Sequence, residues 1–189
     1  MTRKYELKKR AERQAETRQR IVEAAVELHR TKGPARTTVS DVARAAGVQR
    51  HTVYAHFPEE RELLLACSGH YAQLHPPPDP ASWESIGDPA GRLRQGLGEV
   101  YEYFEETADM LTSVLRDAEI DPLVREIVQV RRAGPMLRVR ESLARVARGK
   151  RALAAVDVAL DFHAWKKLAA GGLGPREAAE TMTAAILAQ

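Results

Sequence analysis

The stretch TTVSDVARAAGVQRHTVYAHF, Thr37 to Phe57, decides the fold. Thr38 stands where a helix N-cap is expected, with Asp41 three positions on, a capping box with Asp in place of the more usual Glu. Gly47 can take the left-handed conformation just past a helix end without a Cβ penalty, so this first helix stops after about two turns. So short a helix is not stable alone. It must be held by packing, through Val42, Ala43 and Val48, and the small Ala43 and Ala46 let another helix approach closely. A second short helix follows the glycine corner. Val53 and Phe57, four apart, supply its buried face and leave Arg50, His51, Thr52, Tyr54 and His56 on a polar surface. Two short helices about a Gly-containing turn, the second polar outward, is the arrangement that places a helix in the DNA major groove. The same pair also occurs in helical proteins that bind nothing, so spacing alone leaves both readings open.

Working outward, TRQRIVEAAVELHRTKG places Ile21, Ala24, Ala25 and Leu28 at amphipathic helical spacing, with Thr17 as a possible cap and Gly33-Pro34 as the stop. Residues 1–16 lack an apolar stripe beyond Tyr5 and Leu7 and read as a basic flexible arm. The helix-turn-helix domain is expected over 17–58. A connecting helix over 59–75 presents Leu63, Cys67 and His70 or Tyr71 on one side. PPPDP ends it, and 76–88 reads as a loop. Residues 88–189 read as a ligand-binding and dimerisation domain of further helices. Leu93, Leu97, Val100 or Tyr101, and Phe104 form one stripe. A long segment begins near Pro122 and carries Pro135 inside it, which predicts a kink or break. No segment alternates with period two, so the expected fold class is all-α: an N-terminal three-helix helix-turn-helix domain plus a C-terminal helical bundle.

Composition is that of an ordinary soluble globular chain: 189 residues, 44% hydrophobic and 29% charged. No apolar run approaches the ~20 residues that span a bilayer, so no membrane partner is expected. The N-terminus has no apolar leader, and the single cysteine, Cys67, leaves no disulfide framework; both readings suit the cytoplasm. The charge is uneven. Up to Phe57 there are 13 Lys/Arg against 6 Asp/Glu, and from Pro58 onward 16 against 20. A basic part on an otherwise acidic chain points to a polyanion, with a solvated tail as the alternative. Cys67 and His70 have a spacing that could share a metal, but two ligands do not make a site, and no cofactor and no metal are expected. No phosphate loop and no activated nucleophile occurs, and Glu105-Glu106 and Asp117-Glu119 read as solvated helix surface; the chain is not expected to be an enzyme.

TTVSDVARAAGVQRHTVYAHF, preceded by TRQRIVEAAVELHRTKG and followed by PEERELLLA, resembles the N-terminal domain of the TetR family of transcriptional regulators over about residues 17–66. The resemblance implies a homodimer on a double-stranded DNA operator, released by a small-molecule effector of unknown identity. It also implies that Thr38 and Tyr54 hold phosphates, with His56 a further phosphate candidate, while Gln49, Arg50, His51 and Thr52 face base edges. Arg pairs bidentately with guanine and Gln with adenine, so the residue types suit those places. Two positions depart from the family. Gln49 stands where a small capping Ser is frequent. Glu60, with Arg61 after it, stands where a phosphate-binding Lys is usual, and Lys4, Lys8, Lys9, Arg10 and Arg13 are the candidates to compensate. Candidate ligand-pocket residues are Tyr101, Phe104, Met110, Met136, Phe162 and Trp165, with plain core as the alternative for each. An inward-pointing arginine among Arg131, Arg132, Arg138 and Arg140 would favour an anionic ligand. Candidate dimer-interface residues are Leu153, Val156, Leu160, Ala178, Met182 and Ile186, whose competing role is to close the chain's own core. The expected function is a sequence-specific repressor of a palindromic operator. The rivals are a ligand-binding or catalytic helical protein with a vestigial DNA domain, and a nonspecific architectural DNA binder.

Overall fold

The computed structural model describes residues 2–189; the side chains of residues 1–4, Lys4 among them, lie outside the described residues. Ten α-helices are present among them: α1 Thr2–Thr31, α2 Val39–Ala45, α3 Arg50–His56, α4 Glu60–Leu74, α5 Pro89–Glu106, α6 Ala108–Ile120, α7 Pro122–Ala144, α8 Gly149–Ala159, α9 Phe162–Ala170 and α10 Pro175–Leu187. They divide into two compact units. The first holds the chain up to Leu74 together with Thr112–Val128, and the second holds His75–Leu111 with Gln129–Gln189.

In the first unit, α1 buries Ile21, Val22, Ala25 and His29 against α2 and α4. The helix does not start at Thr17, as its cap-like position suggests, but runs back to Thr2. Residues 5–16 contain no Gly or Pro and consist of good helix formers, and Lys8 lies 3.8 Å from Glu12 one turn on. The Thr17 hydroxyl donates to the carbonyl of Arg13 inside the helix instead of capping it. Every side chain from residue 5 to 16 is exposed, so this basic segment is a helical extension that buries nothing.

Ile21, Val22, Ala25, Val42, Ala43, Ala46, Val53, Phe57, Leu63 and Cys67 make one core. Val42 and Val53 are 1% exposed and Phe57 3%. Burial of each is worth about 1.5–3 kcal/mol, which is what holds two seven-residue helices that would not persist alone.

In the second unit, α5 buries Leu93, Gly96, Leu97, Val100, Tyr101 and Phe104 along one stripe. Helix α10 lies along it with Ala178, Ala179, Thr183 and Ile186 facing inward, and also packs on α8. The segment 76–88 is not a loose loop. It contains a 3-10 turn over Pro80–Ser82, opened by Asp79 accepting from the N–H of Ala81, and it buries Trp83 completely. The Trp83 indole N–H donates to Ser142 Oγ at 3.0 Å. Gly96 sits against this ring. A Cβ there would lie 2.6 Å from Leu143 and 3.1 Å from Trp83, so only glycine fits. Helix α7 runs unbroken through Pro135. Proline removes one intrahelical hydrogen bond, but Val124 and Ile127 before it and Val139 and Leu143 after it are buried and hold both halves in helix.

Candidate nucleic-acid interface

The corner at the heart of the first unit is built from two caps. Thr38 Oγ1 accepts from the N–H of Asp41 at 3.1 Å, and Asp41 Oδ2 accepts from the N–H of Thr38 at 3.1 Å, the reciprocal capping box read from the sequence. At the other end Gly47 has φ +65°. The N–H of Val48 donates to Ala43 and that of Gly47 to Arg44, the paired bonds of a Schellman ending. Helix α3 then starts at Gln49, whose side chain makes no capping bond.

Val53 and Phe57 turn inward as expected. Gln49, Arg50, His51 and Tyr54 are exposed, and Thr52 and His56 are half-buried, so all six lie on or beside the polar face of one short helix. Arg50 folds back along it: Nη2 donates to the Tyr54 hydroxyl at 3.1 Å, and the guanidinium carbon lies 5.6 Å from that ring's centre. Thr38, the seventh candidate, is exposed at the start of α2, but its hydroxyl proton goes to Asp41 Oδ2 at 2.9 Å. Asp41 also takes Lys32 Nζ at 2.6 Å. The ammonium of Lys32, then the N–H and hydroxyl of Thr38, hold the Asp41 carboxyl far below the usual carboxylate range.

Arg61, beside the departing Glu60, is tied to Glu126 by two bonds of 3.0 and 2.8 Å. Arg18 stacks over the Phe57 ring at 4.6 Å. Cys67 faces His29 at 3.3 Å, and His70 lies against Gln19, so the two do not converge on a shared site.

A group of residues that the sequence hides anchors the loop ahead of α2. Asp117 is 0% exposed, not solvated surface. Its Oδ2 accepts from the N–H of Ala35 at 3.0 Å and its Oδ1 from Arg116 Nε at 2.8 Å. Arg116 Nη2 donates to the carbonyl of Lys32, and Ser113 Oγ to that of Arg30, each at 3.0 Å. Three residues of α6 thus grip the turn around Gly33. At φ +96° that glycine has no room for a Cβ, which would collide with Arg116 and Asp117. His29 lies within this buried region. Desolvation pushes its imidazole down to about 4, with Asp117 opposing part of that shift.

In the second unit the candidate pocket residues form a packed aromatic layer. Phe104 meets Phe162 edge-on at 5.5 Å and Trp165 at 5.7 Å, with Tyr101 at 6.3 Å. The Tyr101 hydroxyl donates to the carbonyl of Ala159 at 3.0 Å. Met110 is buried and Met136 half-buried. Of the candidate interface residues, Val156, Ala178 and Ile186 are closed inside the chain's own core at 0%, 0% and 1% exposure. In the single chain these three side chains face inward, not outward. The stripe they belong to is spent on packing α8 and α10 against α5, and only the half-buried Leu153, Leu160 and Met182 keep surface to offer.

Two short helices crossing at a Gly47 corner, with one polar face held outward, define a helix-turn-helix domain. Residues 21–67 match the family described as bacterial regulatory proteins, tetR family. The chain is 39% identical over 87 residues to the HTH-type transcriptional regulator TtgR of Pseudomonas putida, 46% of this chain and 41% of that protein. It is 31% identical over 120 residues to the HTH-type transcriptional regulator CymR of the same species, 63% of this chain and 59% of that protein. The matched part thus spans less than two thirds of either relative's length. A solved structure of a HlyIIR mutant has the same fold over 91% of this chain and 97% of that one, with a TM-score of 0.67 at 15% identity. Among the described residues no helix is long and apolar enough to cross a membrane.

Proposed function

We propose that this chain is a sequence-specific DNA-binding transcriptional regulator. In this reading it is a homodimeric, non-enzymatic repressor of a palindromic operator that a small-molecule effector releases, and it works in the cytoplasm. The observation that carries the proposal is α3: Val53 and Phe57 lock it in place while Gln49, Arg50, His51 and Tyr54 stay exposed. A polar helix held rigidly on a small apolar core is what the major groove admits. The excess of 13 Lys/Arg over 6 Asp/Glu up to Phe57 supports it, as do the names of the relatives.

In the proposed complex α3 enters the groove. Arg50 leaves the Tyr54 hydroxyl and takes guanine O6 and N7, and the freed hydroxyl takes a phosphate, as His56 does from the end of the helix. Thr38 serves a phosphate only if its hydroxyl gives up Asp41, so the N-terminal amides of α2 are the stronger donors there. Helix α6 carries Met110 and, further along, the Ser113, Arg116 and Asp117 that grip the loop before α2. An effector that shifts α6 therefore changes how α2 and α3 are presented. It does so only by binding the two arrangements with different affinity.

Selection of bound duplexes from a random pool at physiological salt tests the reading. A palindrome with half-sites about 34–36 Å apart is the expected result. Salt-sensitive binding with no enriched motif would instead assign a nonspecific architectural role, and no binding at all would sink the DNA reading.

A further inference from the structure

The first unit holds a cavity of about 250 Å³ among α1, α2, α3 and α4, walled by the buried Val42, Val53, Phe57, Leu63 and Leu64. An apolar cavity of about 150 Å³ is enough to take a benzene ring, so this one has room for a ring and a short chain. The exposed Thr38, Tyr54, Glu59 and Glu60 also line it and mark its mouth.

Its polar lining is rich in acceptors and carries negative charge. No lysine or arginine lines it, and its ionised groups are the carboxylates of Glu59 and Glu60. Neither carboxylate makes an ion pair among the described residues, and Arg61, next in sequence, is spent on Glu126. His29, 6% exposed, lines the cavity too. The Cys67 thiol donates to the carbonyl of Leu64 at 3.3 Å, so the proton between Cys67 and His29 belongs to Nδ1. That leaves Nε2 as an acceptor with no hydrogen-bond partner among the described residues. Burial keeps this imidazole uncharged at neutral pH. Of the hydroxyls on the wall, Thr37 donates to the carbonyl of Gly33 at 2.8 Å and Thr38 to Asp41 at 2.9 Å, which leaves that of Tyr54.

We propose that this cavity is a binding site for a small amphipathic amine, its apolar body against Val53, Phe57 and Leu64 and its ammonium at the mouth beside Glu59 and Glu60. The wall argues for the apolar body, because a ring withdrawn from water onto these side chains is stabilised by about 25 cal/mol for each Å² it buries. The charge argues for the cation. Two unpaired carboxylates attract an ammonium and repel a carboxylate or phosphate, and an unprotonated imidazole nitrogen offers an anion no donor. The volume argues for one ring, since pockets for larger organic ligands begin at about 300 Å³. The inference stands on the cavity alone and is independent of the operator reading; it adds a ligand site to the helix-turn-helix unit itself.

Methyl-resolved NMR titration of the full chain with 2-phenylethylammonium tests it, beside the neutral 2-phenylethanol and the anionic phenylacetate. Saturable shifts in the methyls of Val42, Val53, Leu63 and Leu64 are expected from the amine, with the alcohol about fivefold weaker or more and no shift from phenylacetate. The pair Glu59→Gln and Glu60→Gln should bring the amine down to the level of the alcohol, whereas Glu105→Gln, exposed on α5 in the second unit, should change nothing. Circular dichroism confirms that each variant is folded, and the amine–alcohol comparison on the unaltered chain stands without any variant. The proposal is overturned by an alcohol that binds as tightly as the amine, by a folded double variant that keeps full affinity, by shifts confined to methyls of the second unit, or by no saturable binding at millimolar amine. An operator recovered from the duplex pool without amine binding would remove this inference and leave the regulator. Amine binding without any operator would do the reverse.

Discussion

Arg50 is the residue on which sequence readout turns. Its guanidinium rests on Tyr54 in the free protein. Because a base-reading arginine discriminates where a phosphate contact does not, Arg50→Ala should cost about 1–3 kcal/mol on the preferred duplex and flatten the preference at one base position. Competition binding against single-base variants measures it; equal weakening on all duplexes would reassign Arg50 to the backbone. His29 predicts a different behaviour, in stability. Its folded pKa of about 4 lies below the ordinary value of 6.5, so between those limits the unfolded chain binds a proton that the folded one refuses. Stability therefore falls as pH drops through that window, by up to roughly 3 kcal/mol from this group, and is flat above it. Denaturant titrations at pH 7 and pH 5 should show the loss, and His29→Gln should remove most of the difference.

At the scale of elements, two glycines with positive φ should behave unequally. Gly47 at +65° has open space around it, so Gly47→Ala should cost only the left-handed backbone strain, about 1–2 kcal/mol. Gly33 at +96° is pressed on Arg116 and Asp117, so Gly33→Ala should add a steric penalty and exceed about 2 kcal/mol in total, read from urea midpoints. Equal costs would mean that the grip of α6 on this turn is loose. The same two glycines show what was legible beforehand. Gly47, the Thr38–Asp41 box and the inward pair Val53 and Phe57 follow from spacings of six residues or fewer, and local spacing is what a sequence displays. The burial of Asp117 depends on Ala35, 82 positions away, and that of Trp83 on Ser142, 59 away. Nothing local distinguishes Asp117 from a surface carboxylate. The α10 stripe is visible in the sequence, but the same alanines serve a self-packed helix or a seam between chains, and it is the packing of α10 on α5 that buries Ala178 and Ile186 within this chain. The extension of α1 escaped for the opposite reason: it is helical without an apolar stripe to announce it.

For the whole molecule, the basic surplus up to Phe57 should dominate the salt dependence of DNA binding. Lys8, Lys9, Arg10 and Arg13 stand exposed on the α1 extension. If they meet phosphates, deleting residues 5–16 with what precedes them should lower the slope of log affinity against log salt by roughly 0.9 for each phosphate no longer neutralised, with the thermal midpoint unchanged because the side chains of residues 5–16 are all exposed. An unchanged slope would make it a solvated helix. The chain passes between the two units three times, after Leu74, within α6 and within α7, so the units are joined by continuous helix as well as by the segment after α4. The chain has two tryptophans, Trp83 and Trp165, and both are buried in the second unit. Indole emission is consequently a private signal of that unit, dark to the first, which owns Tyr5, Tyr54 and Tyr71 but no indole. A melt followed at once by fluorescence and by backbone ellipticity would separate the order in which the two halves come apart, with no label attached to either.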